Sequence, residues 1–133
     1  MDSKILTPLA YTKLVVRDLQ RQCDFYQSVL GYERGQFVTG KIGGRALEEF
    51  MLIGADGKIE LMILAYVDGG AAPSPSGVIT LFFTRDLDAF QARVLAAGGA
   101  VHQPIGPLPM GEKTRRLAFF SDPEGYLLEV IEN

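Results

Sequence analysis

Apolar residues recur along the 133-residue chain in two regimes, one with the period of a strand and one with that of a helix, and the order is run through twice. Residues 11–16, Tyr-Thr-Lys-Leu-Val-Val, are β-branched and apolar, as a short buried strand requires. They lead through Arg17-Asp18 into a stretch with apolar side chains at Leu19, Cys23, Tyr26, Val29 and Leu30, close to the i, i+3, i+4, i+7 stripe of a half-buried helix. Asp18 stands where an N-cap carboxylate accepts the free amides of the first turn, and Gly31 where a left-handed residue ends the helix. Residues 78–84 open the second run, Asp86 caps it, and Leu87, Phe90, Val94, Leu95 and Ala97 form its stripe before Gly98-Gly99. The echo of Asp18-Leu19 in Asp86-Leu87 sets a repeat offset of 68 residues.

After each helix the period drops towards two. Strands at 33–39, 47–53 and 58–64, with turns at 40–44 and 55–57, follow the first helix. Val101, 117–121 and 126–132, with a turn at Asp122-Pro123-Glu124-Gly125, follow the second, and the Gly- and Pro-rich residues 104–112 read as a loop. The pattern predicts an α+β fold of two tandem βαβββ modules, at about 8–67 and 78–133, joined by a linker at 68–77. A unit of that size buries little surface alone, so the two are expected to pack as a single domain.

Composition narrows the function more than it defines it. An apolar share of 47% with 22% charged residues excludes a disordered, collagen-like or coiled-coil chain. A net charge of −3, with no basic run longer than Arg115-Arg116, removes the electrostatic reason to expect nucleic acid or an anionic membrane. A single cysteine and a single histidine rule out an internal disulfide and a Cys/His zinc site. Residues 1–9 carry Asp2 and Ser3 rather than a basic segment before a long apolar one, so a cytoplasmic protein with a small-molecule or protein partner is expected.

Val16-Arg17-Asp18-Leu19 leading to Phe25-Tyr26 and Leu30-Gly31, the Asp86 helix ending at Gly98-Gly99, and Asp122-Pro123-Glu124-Gly125 with Glu129 four residues later are a specific combination. On these residues nearly the whole chain resembles the vicinal-oxygen-chelate superfamily, which includes glyoxalase I, bleomycin- and fosfomycin-resistance proteins and extradiol dioxygenases. The resemblance implies the glyoxalase/bleomycin-resistance fold, sheets curled around a cleft, and a homodimer. Enzymes of that family typically hold a metal with one ligand from the first and one from the last strand of each module. Carried over, the first-strand positions are Tyr11 and Ile79, neither of them the usual histidine, and the last-strand positions are Glu60 and Glu129, which match the family's carboxylates.

Strand alternation then puts Glu60, Met62 and Leu64 on one face, with Lys13, Val15, Leu81, Phe83 and Ile131, while Leu14, Val16 and Phe82 face the helices. Two carboxylates in an apolar cleft share a proton or acquire a cation, and Lys13, a ligand cation or a divalent ion would serve. Glu60 and Glu129 are the only metal ligands the carried-over positions supply, so no cofactor is required although a divalent metal is possible. Arg116, beyond the loop at 104–112, is placed to meet an anionic group of a ligand. His102 reads as a surface residue, Cys23 as a small core residue, and the Asp122 turn as structural.

Two functions follow. One is metal-independent binding of a small, mostly apolar molecule against Val15, Met62, Leu64, Ile79, Leu81 and Phe83, or an atypical isomerase or lyase on that cleft with Glu129, Glu60 and Tyr11 as its catalytic set. A cationic or hydrogen-bond-donating ligand would suit the two carboxylates. The alternative is a divalent-metal-dependent lyase or isomerase of the glyoxalase type with a non-standard ligand set. Dioxygenase chemistry is disfavoured, because open metal positions carry it.

Overall fold

The repeat seen in the sequence is a repeat in space. In the computed structural model, which describes residues 5–71 and 74–133, β1 (Thr12–Val15), β2 (Glu33–Ile42), β3 (Arg45–Ile53) and β4 (Ile59–Tyr66) form one sheet in the order β1-β4-β3-β2. The second, β5 (Ile79–Thr84), β6 (Ala100–Met110), β7 (Lys113–Ser121) and β8 (Leu127–Glu132), has the equivalent order β5-β8-β7-β6. Each first strand pairs parallel with the last of its module, and the other pairings are antiparallel. Residues 1–4 of the N-terminal stretch and 72–73 of the expected linker lie outside the described residues.

Helices α1 (Leu19–Leu30) and α2 (Leu87–Ala96) begin where the caps require. Asp18 accepts the Arg21 amide at 3.1 Å and Asp86 accepts that of Ala89 at 3.0 Å. Gly31 takes a φ of 75° as it closes α1, a conformation that costs glycine nothing. The buried face of α1 carries Leu19, Cys23, Phe25, Tyr26 and Val29 as a stripe should, and also Gln22. In α2 the stripe is narrower than expected, since Leu95 is exposed.

Both helices contribute to one core, in which Leu14, Val16, Ile63 and Phe25 of the first module meet Phe90, Phe120, Leu128 and Val130 of the second. Leu14 and Val16 face the helices as alternation requires, and Phe82 packs at the edge of that core. Arg93 reaches across to donate to the Val29 carbonyl at 3.1 Å. Gly99 lies so close to Ser121 and Phe25 that a Cβ there would stand 2.6 Å from the Ser121 carbonyl oxygen.

Two connections differ from the pattern reading. The first hairpin turns on Gly43-Gly44 alone, both left-handed (φ 57° and 79°), so β2 runs through Gly40 to Ile42. Residues 104–110 are not a loop but the outer part of β6, despite Pro104, Pro107 and Pro109. β6 is an edge strand, where a missing N–H is tolerated: Pro107 and Pro109, two apart, leave theirs on one side, and Pro104 falls in the irregular stretch between Gln103 and Gly106.

Candidate functional site

Each sheet has one face against the helices and one face turned from them. On sheet 1 the second face takes Lys13 beside Met62 and Val15 beside Leu64, with Met51 and Glu49 in register on β3. Glu49 is 7% exposed and accepts a hydrogen bond from the Lys13 ammonium at 3.0 Å. The pair runs from β1 to β3 across the intervening β4, and Met62 and Leu64, on the strand it crosses, are buried. The counterion of Lys13 is therefore Glu49, not Glu60 or Glu129, and the pair neutralises the middle of this face.

Glu60 departs from simple alternation. Leu52 pairs with Leu61 and Ile53 with Ile59, so Glu60 is the extra residue of a bulge. Its side chain lies over Gly54, where a Cβ would come within 2.7 Å of its Cγ. From there it lines a cavity of about 300 Å3 with Thr12, Tyr32, Ile79 and Thr80, at the seam of edge strands β1 and β5. Burial, and then the Glu60 charge, push the Tyr32 hydroxyl above its ordinary pKa. Met62 and Leu64 do not line this cavity, and the bulge lies between them and the start of the strand.

Sheet 2 is the open one. Ile79, Leu81 and Phe83, alternate residues of β5, are 55%, 49% and 61% exposed. Beside them in register stand Leu127, Glu129 and Ile131, and Phe119 follows on β7. Glu129 is thus flanked by Leu81 and Phe119 on a largely apolar surface, half-buried. Tyr11 precedes β1 by one residue and is half-buried.

Arg116 does not belong to this face. It shares its parity along β7 with Ala118 and Phe120, which are in the core, and it donates to Glu132 at 2.9 and 3.0 Å and to Asp88 at 2.8 Å. These bonds tie β7 to β8 and to the first turn of α2, so the guanidinium is occupied on the helix side and is not free for a ligand.

A second polar centre joins the modules. Buried Asp122 accepts from Gln22 Nε2 at 2.8 Å and from the Tyr26 hydroxyl at 2.7 Å, both on α1. Its other oxygen accepts the amides of Glu124 and Tyr126. Glu124 accepts the Arg17 and Asp18 amides at 2.7 and 2.8 Å, and the Tyr126 hydroxyl donates to the Val15 carbonyl. Burial and the Asp122 carboxylate hold the Tyr26 hydroxyl well above its ordinary pKa. The turn is structural, as the sequence suggests, and it is also the clasp of module 2 on module 1.

Sequence reasoning missed Glu49, Tyr32 and the reach of Asp122. A carboxylate at alternate parity in 45–53 facing Lys13 was the available signal for Glu49, but it needed the strand register to be used. Of the four positions at which the resembled enzymes bind metal, Tyr11 offers a phenol, Ile79 no donor, and Glu60 lines the cavity at the β1–β5 seam with Ile79 and Leu81 but without Glu129. Among the described residues no group of three His, Cys, Asp or Glu is placed to hold a metal ion. The donor set does not fit a tight four-ligand divalent site.

Among the described residues no helix is long and apolar enough to cross a membrane. The family model of the Glyoxalase/Bleomycin resistance protein/Dioxygenase superfamily matches residues 8–130. Lactoylglutathione lyase of Escherichia coli O157:H7 is 32% identical over 127 residues, covering 93% of this chain and 91% of that protein. The Haemophilus influenzae enzyme of the same name is 32% identical over 136 residues, covering 94% and 92%. In structure, a glyoxalase family protein from Bacillus cereus superimposes with a TM-score of 0.78 at 16% identity over 99% of this chain and 97% of that one. A glyoxalase I mutant from Zea mays gives 0.70 at 24% identity, covering 94% of this chain and 46% of that one. The two four-stranded sheets, each with its helix, and the match along almost the whole sequence agree: the chain belongs to the glyoxalase/bleomycin resistance protein/dioxygenase superfamily.

Proposed function

We propose that the chain is a metal-independent member of this superfamily that binds a small, mostly apolar molecule on the open face of sheet 2, in a homodimer whose second copy completes the cleft. The observation that carries this reading is the exposed row Ile79, Leu81 and Phe83 beside Glu129. Three large apolar side chains on one face of an edge strand are costly to leave in water and are what a ligand or a second copy covers. Glu129 supplies a single carboxylate amid that surface. It orients a hydrogen-bond donor of the ligand or, in an isomerase or lyase, takes a proton from a carbon next to a carbonyl. Tyr11 and Lys13 are the groups nearest in role to an oxyanion stabiliser, although Lys13 is already paired.

The second reading is a divalent-metal-dependent lyase, favoured by the 32% identity to proteins named lactoylglutathione lyase. One experiment separates the two. Elemental analysis of untagged protein is followed by calorimetric titration with Mn²⁺, Ni²⁺, Zn²⁺ and Mg²⁺ on wild type and Glu60→Gln, with a lactoylglutathione lyase assay at each stage. The proposal expects no stoichiometric metal, no binding heat and no lyase turnover. Stoichiometric metal that is lost in Glu60→Gln, together with turnover, would establish the lyase instead.

A further inference from the structure

A cavity of about 750 Å3 opens on the second module, lined by neither Glu60 nor Glu129. It lies at the end of sheet 2, where the chain leaving the linker at Pro75 runs past the strands. Ile79 and Leu127, register partners on β5 and β8, line it with Val78 and Pro75, and Ser121, the partner of Leu127 on β7, continues the row. His102 lines its far side. On β6, Val101 pairs with Phe120 and Gln103 with Phe119, so His102 is the extra residue of a bulge. A bulge re-aims the side chain it carries, and here that side chain reaches the cavity.

His102 is the only histidine in the chain and, among the described residues, the only titratable side chain lining this space. Among the described residues no carboxylate lines it. Asp122, adjacent in sequence, has both oxygens engaged by Gln22, Tyr26 and the Glu124 and Tyr126 amides. Glu129 is one row further along the sheet, between Leu81 and Phe119. A cationic ligand would meet no counter-charge here, whereas an acid would meet an imidazole and a hydroxyl. The volume is within the range of small-molecule sites, and its apolar floor suits an aromatic or aliphatic body.

The geometry points to a site for a small apolar carboxylic acid, its body on Ile79 and Leu127 and its carboxylate on the His102 imidazole, with the Ser121 hydroxyl as second donor. This rests on the reading of the open face of sheet 2 as a small-molecule site, and it fixes the chemical class and the end of the face used. It also reverses the charge expected from the two glutamates alone, since the titratable group in this cavity is a base.

The test uses 2-naphthoate and its neutral counterpart 2-naphthamide as probes of the full-length protein, followed by NMR. The single histidine gives one set of ring resonances. Naphthoate is expected to bind about tenfold more tightly than naphthamide near pH 6, as a charge-assisted hydrogen bond implies, and to keep the imidazole protonated to higher pH. His102→Gln, an exposed-strand change, erases the preference while naphthamide binding remains, and Leu127→Trp weakens both probes by filling the floor. Equal binding of the two probes to wild type, or a preference that survives His102→Gln, overturns the inference and leaves the small-molecule reading standing. Failure of both probes to perturb Ile79, Leu127 or His102 overturns the site altogether.

Discussion

Lys13 and Glu49 form an ion pair whose two ends are unequally buried, with side-chain exposures of 40% and 9%. Removing the lysine leaves a carboxylate with little water and no counter-charge, which is the costly half of such a pair. Lys13→Met is expected to lower stability by about 1–3 kcal/mol, discounted from the fully buried case because the lysine is partly solvated. The double variant Lys13→Met/Glu49→Met should recover most of that loss, and urea unfolding of the four proteins of the cycle measures it. Cys23 makes a simpler case. Burial pushes its thiol up to about 11, so iodoacetamide at pH 8 is expected to leave the native protein unmodified and to alkylate it fully in denaturant. Cys23 was legible as a core residue from its place on the stripe of α1. The partner of Lys13 was not, because parity separates Glu48 from Glu49 only once β3 has been set in register against β4.

At the scale of elements, positions marked by a local signal were readable and those set by a neighbouring strand were not. Asp18, Asp86 and Gly31 announce helix ends through their own chemistry: both helices begin at their aspartate, and α1 ends at Gly31. The bulge at Glu60 has no such mark, and it breaks the alternation that would have put that glutamate in the row of Met62 and Leu64. Prolines at 104, 107 and 109 argued for a loop because their tolerance depends on β6 lying at an edge, which is a property of the sheet. Gly99 shows the same dependence. Ala at that position puts a methyl group 2.6 Å from the Ser121 carbonyl and 2.8 Å from Phe25, and Gly99→Ala is expected to cost about 1–3 kcal/mol in thermal unfolding. The tie between β7, β8 and α2 is pH-dependent. Hydrogen bonds from Arg116, and then the Leu87 amide, hold the Glu132 carboxyl down to about 2. A carboxylate lowered by folding stabilises the folded state above its ordinary range and loses that contribution as pH falls through its folded value. Wild type should therefore exceed Glu132→Gln in stability at pH 7, and the two should converge as the pH is lowered towards 2 in parallel urea melts.

Over the whole molecule, the repeat predicted the architecture of each module, while the contact between modules depends on residues whose role no repeat displays. The clasp at Asp122 has no equivalent in module 1, where the corresponding turn is the 3-10 turn Ala55–Gly57. Asp122→Ala would strand the buried donors of Gln22 and Tyr26 together with two amides, and is expected to cost about 3–5 kcal/mol and to reduce amide-exchange protection in α1 as well as in β8. The same asymmetry governs the outer faces. The Lys13–Glu49 pair closes the middle of sheet 1, whereas β5 leaves Ile79, Leu81 and Phe83 uncovered at a sheet edge. The proposed homodimer would bury this row and so remove an exposed apolar sheet edge. Phe83→Asp places a charge on the most exposed of the three, where it would be desolvated only in the assembly. Sedimentation velocity is expected to find a dimer for wild type and a monomer of unchanged far-UV circular dichroism for Phe83→Asp. A wild-type monomer at tens of micromolar would mean that the row is covered by ligand alone, and the cleft would then have to be completed within one chain.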